Sequence, residues 1–178
     1  MNLYVIRHGQ TIVNKYNLIN SINKIGLTKK GKKEALNASL NIENIKLDLI
    51  ISSPLRRTKQ TCKIINKNKV KVIFDKRLLE RNSRSMQFKK IAILDNNIWY
   101  DINKDIVYKN SEGFKSILKR TEEFLNELQE KYKDKNILIV THGDVCKAIY
   151  AIVNNIKDIK TISEFDQQTS EIKEYIIN

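Results

Sequence analysis

The sequence predicts an α/β fold, a mostly parallel central sheet with helices on both faces, and three observations carry that prediction. Short runs of aliphatic and β-branched residues recur along the chain, amphipathic stretches of helical period lie between them, and few hairpin-type turn signals separate them. At 178 residues the chain has the length of one α/β domain and can bury a core without metals or disulfides.

The elements follow in order. Residues 2–6 form the first strand-like run, and Thr28 is placed to cap a helix reaching about Leu40. A second run, 47–51, is followed by Ser53-Pro54, which reads as an N-cap with proline at the first position of a helix extending to about Asn66. The third run is 70–74. Segment 81–110 has no clean period and reads as a helical insertion beside the site. From Ser111 to Tyr132 a helical stripe places Phe114, Ile117, Leu118, Leu125, Leu128 and Tyr132 on one face, with Ser111 and Glu112 suited to cap its start. The fourth run, 136–140, leads into a helix from Gly143 to about Asn154 that carries Val145, Ile149, Ile152 and Val153, and a weaker run occupies 172–177. No repeat, linker or low-complexity tract interrupts this order, so residues 1–178 read as a single domain.

The net charge of +13 raises the question of a nucleic-acid or membrane partner. It is carried by 26 lysines against seven arginines, scattered with many asparagines through turns and exposed faces. No basic stripe interleaved with aromatics and no nucleic-acid motif is present, so neither partner is expected. No stretch has the roughly 18 uninterrupted apolar residues of a spanning helix, and the chain enters a strand at once where a signal peptide would show its apolar core. A cytoplasmic protein is therefore expected. Cys62 and Cys146 lie far apart without metal-ligand spacing and read as buried free thiols.

Chemistry is concentrated at the strand ends. The chain has two histidines, His8 and His142, each closing an apolar run and each followed by glycine. In an open α/β sheet such positions border the ligand crevice, and glycine lets the backbone turn sharply there. Arg7 adjoins His8, Arg56 and Arg57 follow the second strand, and Glu80 follows the third. Convergence would place Arg7, His8, Arg56 or Arg57, Glu80 and His142 in one pocket, where clustered cations call for an anion. Phosphate is the natural candidate, since the guanidinium fork matches its oxygens. Backbone N–H groups at the start of the helix after His142 would add to the attraction. With no metal-ligand cluster in the sequence, phosphoryl transfer needs a protein nucleophile. A neutral imidazole can serve, and a carboxylic acid such as Glu80 can protonate the leaving oxygen. An ion pair with Arg77 or Arg81 is the structural alternative for Glu80.

Arg7-His8-Gly9-Gln10-Thr11 with Asn14 resembles the R-H-G-[EQ]-T-x-x-N signature of the histidine phosphatase superfamily, also called the phosphoglycerate mutase-like family. Three further segments are similar to family motifs in the same order: Leu27-Thr28-x-x-Gly31-x-x-x-Ala35, Ser52-Ser53-Pro54-Leu55-x-Arg57-Thr58-x-x-Thr61, and Thr141-His142-Gly143. The resemblance implies a three-layer sandwich of the phosphoglycerate mutase-like type and a phosphatase that needs no cofactor or metal and acts on a small phosphorylated metabolite. It implies His8 as the phosphorylated nucleophile, with Arg7, Arg57 and His142 clamping the phosphate, Asn14 as a further contact and Glu80 as proton donor. It favours Arg57 over Arg56, which then reads as a solvated helix residue. The pattern departs from the family after Glu80. Where an aromatic-glycine step and an acidic-glycine pair are usual, Ser83, Arg84, Gln87 and Phe88 stand nearby.

Arg81 or Arg84 is a candidate reader of a second substrate anion. Hydrolysis of small phosphomonoesters competes with mutase-type transfer and with a catalytically weak phosphate-binding role; the length favours hydrolysis. The sequence fixes no oligomeric state.

Overall fold

Side chains alternate across a strand, so the pattern of burial tells which faces it covers. In β1 (Asn2–Arg7), Leu3 and Val5 belong to one buried cluster while Tyr4 and Ile6 belong to another. A strand apolar on both faces belongs inside a sheet. The computed structural model describes residues 1–177. Its remaining strands are β2 (Leu49–Ser52), β3 (Val72–Phe74), the two-residue strands β4 (Ile106–Val107) and β5 (Ser111–Glu112), β6 (Asn136–Thr141) and β7 (Ile172–Ile176). The main sheet runs β3-β2-β6-β1-β7, parallel throughout except for β7, which lies antiparallel to β1. Strands β4 and β5 form a separate antiparallel pair.

Helices are α1 (Ile12–Lys15), α2 (Lys29–Asn41), α3 (Arg56–Ile65), α4 (Asn96–Trp99), α5 (Phe114–Lys131), α6 (Gly143–Val153) and α7 (Ile159–Glu164). One sheet face, presenting Leu3, Val5, Ile51, Ile137 and Ile139, packs against α5, α6 and α7. The opposite face, with Tyr4, Ile6, Ile50, Leu138 and Val140, packs against Ala38 of α2 and Cys62 and Ile65 of α3. The three-layer expectation is met, and both cysteines are buried and free.

The differences from the sequence reading have local causes. Helix α3 begins at Arg56 with Leu55 as its N-cap, not at Ser53-Pro54, because Ser53 directs its hydroxyl to His142. Thr58 donates to the Ser53 and Leu55 carbonyls. Ser111 and Glu112 do not cap α5, which starts behind Gly113; they form β5, where Ser111 donates to the Ser83 carbonyl and Glu112 pairs with Arg120. Phe124, absent from the expected stripe, is buried on α5. Segment 81–110 is helical only in single turns: 3-10 turns at Arg84–Met86, Ile91–Ile93 and Tyr108–Asn110, and the four-residue α4. Its compactness comes from a small apolar cluster of Ile19, Met86, Trp99 and Val107, which a helical period search does not detect.

Helix α2 is locked to the loop after β1. Thr28 caps it by accepting from the Gly31 amide at 3.0 Å, while the Thr28 amide donates to Gln10 O at 2.9 Å. A Cβ on Gly31 would lie 2.6 Å from Gln10 N, and one on Gly9 would lie 2.9 Å from the Gly31 carbonyl carbon. Gly31→Ala should therefore destabilise the fold by about 3 kcal/mol through overpacking, although helix propensity alone predicts a gain of about 1 kcal/mol. Urea unfolding decides the sign.

Candidate active site

Strands β2, β6 and β1 are parallel neighbours, so their carboxyl ends share one edge of the sheet. The register continues past the strands: His8 N donates to Thr141 O and Ser53 N donates to Val140 O, each at 3.0 Å. This aligns His8, Ser53 and His142. Thr141 Oγ1 donates to Leu78 O at 2.9 Å and draws in the chain that carries Glu80.

The two imidazole rings meet edge to face, with centroids 5.2 Å apart. Ring nitrogens of His8 and His142 and a carboxylate oxygen of Glu80 all lie within 4.8 Å of one another, and all three residues are buried. His8 Nδ1 is 2.8 Å from Gly9 O, which can only accept, so Nδ1 holds the proton and Nε2 keeps its lone pair. Arg57 Nε donates to that Nε2 at 3.2 Å. Arg57 is fully buried on α3, with Nη2 donating to Ser21 O at 3.0 Å and Nη1 to Asn23 Oδ1 at 3.4 Å. Burial lowers its guanidinium pKa to about 10, still charged near neutrality.

Arg7 Nη1 donates to Gln167 O at 2.8 Å and lies 3.7 Å from Asp166, while Arg7 Nε is buried with no partner. His142 Nε2 is 2.7 Å from Ser53 Oγ, and His142 Nδ1 is likewise buried and unpartnered. Nδ1 carries the proton in the tautomer whose Nε2 accepts from the Ser53 hydroxyl. Gly143 borders the cavity at the start of α6, whose N-cap His142 makes no side-chain cap. A Cβ on Gly143 would meet the Arg7 guanidinium at an ordinary 3.5 Å, so the close-approach argument holds for Gly9 and not for Gly143. Asn14 lines the cavity, with its Oδ1 accepting from the Thr11 amide and hydroxyl in a capping box. Arg56 is exposed, as expected.

Glu80 is free of the proposed ion pairs. Arg77 binds Asp75 and Glu127, and Arg81 binds Asp144 at 2.6 Å. Burial, then the nearby Asp144 carboxylate, raise the Glu80 pKa. Burial, then Arg57, depress both imidazoles well below 6.5. Two imidazoles and a carboxyl could in kind ligate a divalent cation. Here, however, Arg57 already points a positive group at His8 Nε2, and the Arg7 charge acts on both imidazoles. The arrangement suits an anion.

The depressed imidazoles have a consequence for stability. In the unfolded chain they protonate near 6.5, and in the fold only well below it, so the unfolded state binds up to two more protons between those values. Stability is complete above about pH 7 and is lost as pH falls through 6.5, by up to about 2.7 kcal/mol per pH unit. Glu80 opposes part of this, because the fold retains a proton that the unfolded chain releases above 4.5. Urea unfolding at pH 7.5 and 5.5 should give the lower stability at 5.5; equal values would mean that the imidazoles titrate freely in the fold.

Sequence reasoning gave no role to several supporting residues. Thr61 Oγ1 accepts from Gly9 N at 3.1 Å and sits in a recognised motif. Asp144 follows the second histidine glycine, whereas Gln167, which donates to Val5 O at 2.8 Å and accepts from Arg7, has no local sequence mark.

The family model for histidine phosphatase superfamily branch 1 matches residues 3–175. The chain belongs to that superfamily. The adenosylcobalamin/alpha-ribazole phosphatase of Escherichia coli K12 is 25% identical over 158 residues, covering 85% of this chain and 78% of the relative. The 2,3-bisphosphoglycerate-dependent phosphoglycerate mutase of Buchnera aphidicola from Cinara cedri is 30% identical, covering 88% and 85%. Among solved structures, the phosphoserine phosphatase of Entamoeba histolytica in complex with 3-phosphoglyceric acid superposes with a TM-score of 0.87 at 21% identity, covering 98% and 90%. Phosphatases and phosphoglycerate mutases thus both occur among the relatives. In this member of the superfamily, Arg84 and Phe88, which stand near the places where the superfamily pattern has glycine, have φ of 46° and 68°. Both sit in the left-handed region without glycine, at a cost on the order of 1 kcal/mol each.

Proposed function

We propose that the protein is a metal-independent phosphatase that hydrolyses small phosphomonoesters through a phosphohistidine on His8. The observation that carries the reading is the pair of buried, unpartnered nitrogens, Arg7 Nε and His142 Nδ1, the latter a donor in the tautomer whose Nε2 accepts from Ser53, close to a His8 whose Nε2 keeps its lone pair. Buried donors without partners are costly, and a phosphate dianion supplies acceptors for both.

An arriving phosphoryl group takes the Arg57 Nε–H away from His8 and is held by Arg7, Arg57 and His142, with Asn14 at its edge. His8 Nε2 forms a bond to phosphorus as the ester P–O bond breaks, and Glu80 gives its proton to the departing oxygen. Water then attacks the phosphohistidine and yields its proton to Glu80, and the P–N bond breaks to restore neutral His8 and inorganic phosphate. The depressed His8 pKa keeps the nucleophile neutral, and the raised Glu80 pKa favours the protonated form that the leaving oxygen needs.

The test is inorganic phosphate release from a panel of monoesters in EDTA. Release that persists in EDTA supports the reading. Transfer to an acceptor alcohol without release would favour the mutase alternative, and phosphate binding without either would favour a regulatory role.

A further inference from the structure

We infer that the substrate is a phosphomonoester whose alcohol part is apolar and bears no second anionic group. The inference rests on the reading above for the phosphoryl end and concerns what the same cavity does with the rest of the molecule. The cavity, about 190 Å³, is bordered at its phosphate end by Arg7, Asn14, Glu80 and Gly143. The rest of its lining, the outer wall, is mostly apolar, Leu18, Ile19, Ile91, Leu94, Tyr100 and Phe165, with the neutral polar side chains of Asn20, Ser83 and Gln167 among them. That wall is fixed in place: Ile19 N donates to Lys89 O at 2.8 Å, Phe88 N to Ile19 O at 2.9 Å and Ile91 N to Asn17 O at 3.1 Å.

The charges on the outer wall are Asp144, Lys147 and Asp166. Lys147 is the only cation among them, and its ammonium is spent. It donates to Ile162 O at 3.2 Å, Ser163 O at 2.8 Å and Phe165 O, closing the carboxyl end of α7. Neither arginine suggested by the sequence lines this cavity. Arg81 is buried, its Nε on Asp144, its Nη1 on the Trp99 and Glu112 carbonyls and its Nη2 without a partner. Arg84 is exposed and lines a different cavity with Lys76 and Arg120, beyond Glu80. A chain with a net charge of +13 therefore offers, among the described residues, no free cation on this wall, and its carboxylates, Asp144 paired with Arg81 and Asp166 3.7 Å from Arg7, give a second anion nothing to bind. An apolar group meets six apolar side chains instead.

The test uses two non-hydrolysable ligands of similar length, butylphosphonate and 3-phosphonopropionate, titrated calorimetrically into the native protein and into Ile91→Lys. Ile91 is 51% exposed, so the substitution leaves the core untouched. The native protein should bind butylphosphonate at least about tenfold more tightly, and Ile91→Lys should narrow or reverse that ratio. Equal or tighter binding of 3-phosphonopropionate to the native protein overturns the inference, as does a ratio unmoved by Ile91→Lys. Phosphate release from butyl phosphate and from 3-phosphonooxypropionate is followed in parallel. If the binding preference holds and neither ester is hydrolysed, the hydrolase reading fails and the cavity assignment stands; if neither phosphonate binds, both fail.

Discussion

His8→Ala should abolish phosphate release, lowering kcat on the order of 10⁴-fold or more, since the other imidazole of the site, His142, is tied through Nε2 to Ser53 and is assigned to clamping the phosphate. The partner experiment is chemical. Native protein quenched during turnover should carry phosphate that is labile in acid and stable in alkali, as a phosphoramidate is, and the His8→Ala protein should carry none. The variant should remain folded, because the site is supported by backbone register between β1, β6 and β2 that does not depend on the imidazole. Residual activity within about tenfold of native would mean that another group attacks phosphorus.

Glu80→Gln should separate substrates by their leaving groups. For alkyl phosphates kcat should fall about 10²- to 10⁴-fold, because the alkoxide needs a proton as it departs. For p-nitrophenyl phosphate, whose phenolate leaves unaided, the first step should be nearly unaffected. The pH profile gives an independent reading. Activity should decline as pH rises through the Glu80 pKa, which burial and Asp144 hold above 4.5, and that alkaline limb should vanish in Glu80→Gln. Equal losses for both substrates with the limb retained would assign Glu80 a purely structural part.

The sheet and the histidine pair were legible because their determinants are local. Apolar runs of strand length marked all five main strands within two residues at either end, and Thr28 caps α2 as its side chain and spacing indicate. His8, His142 and Arg57 converge because parallel neighbouring strands place their ends side by side, which residue order and motif together suggest. The start of α3 was misplaced for a long-range reason: a serine before proline is a good cap in isolation, but Ser53 is drawn to His142, 89 residues away. Segment 81–110 was illegible because its order comes from the small apolar cluster around Met86 and Trp99 and from Arg81, clasped by Asp144 and the Trp99 and Glu112 carbonyls, and not from any period. The same clasp removes Arg81 from the substrate, which no local pattern could reveal. Gln167 and Asp166, which hold Arg7, reach the site from the far end of the chain.

The position of β1 bears on how the protein comes into being. Its partners are β6 and β7, so Asn2 lies beside Asn136, 134 residues distant, and opposite Ile176. Contacts of such separation pay a large loop-closure entropy before they return any stability, which slows folding. During synthesis the first apolar strand must wait until most of the chain has emerged, exposed to mispairing in the interval. The two histidines therefore meet only when the sheet closes, and the onset of catalysis in a refolding experiment would report that closure directly.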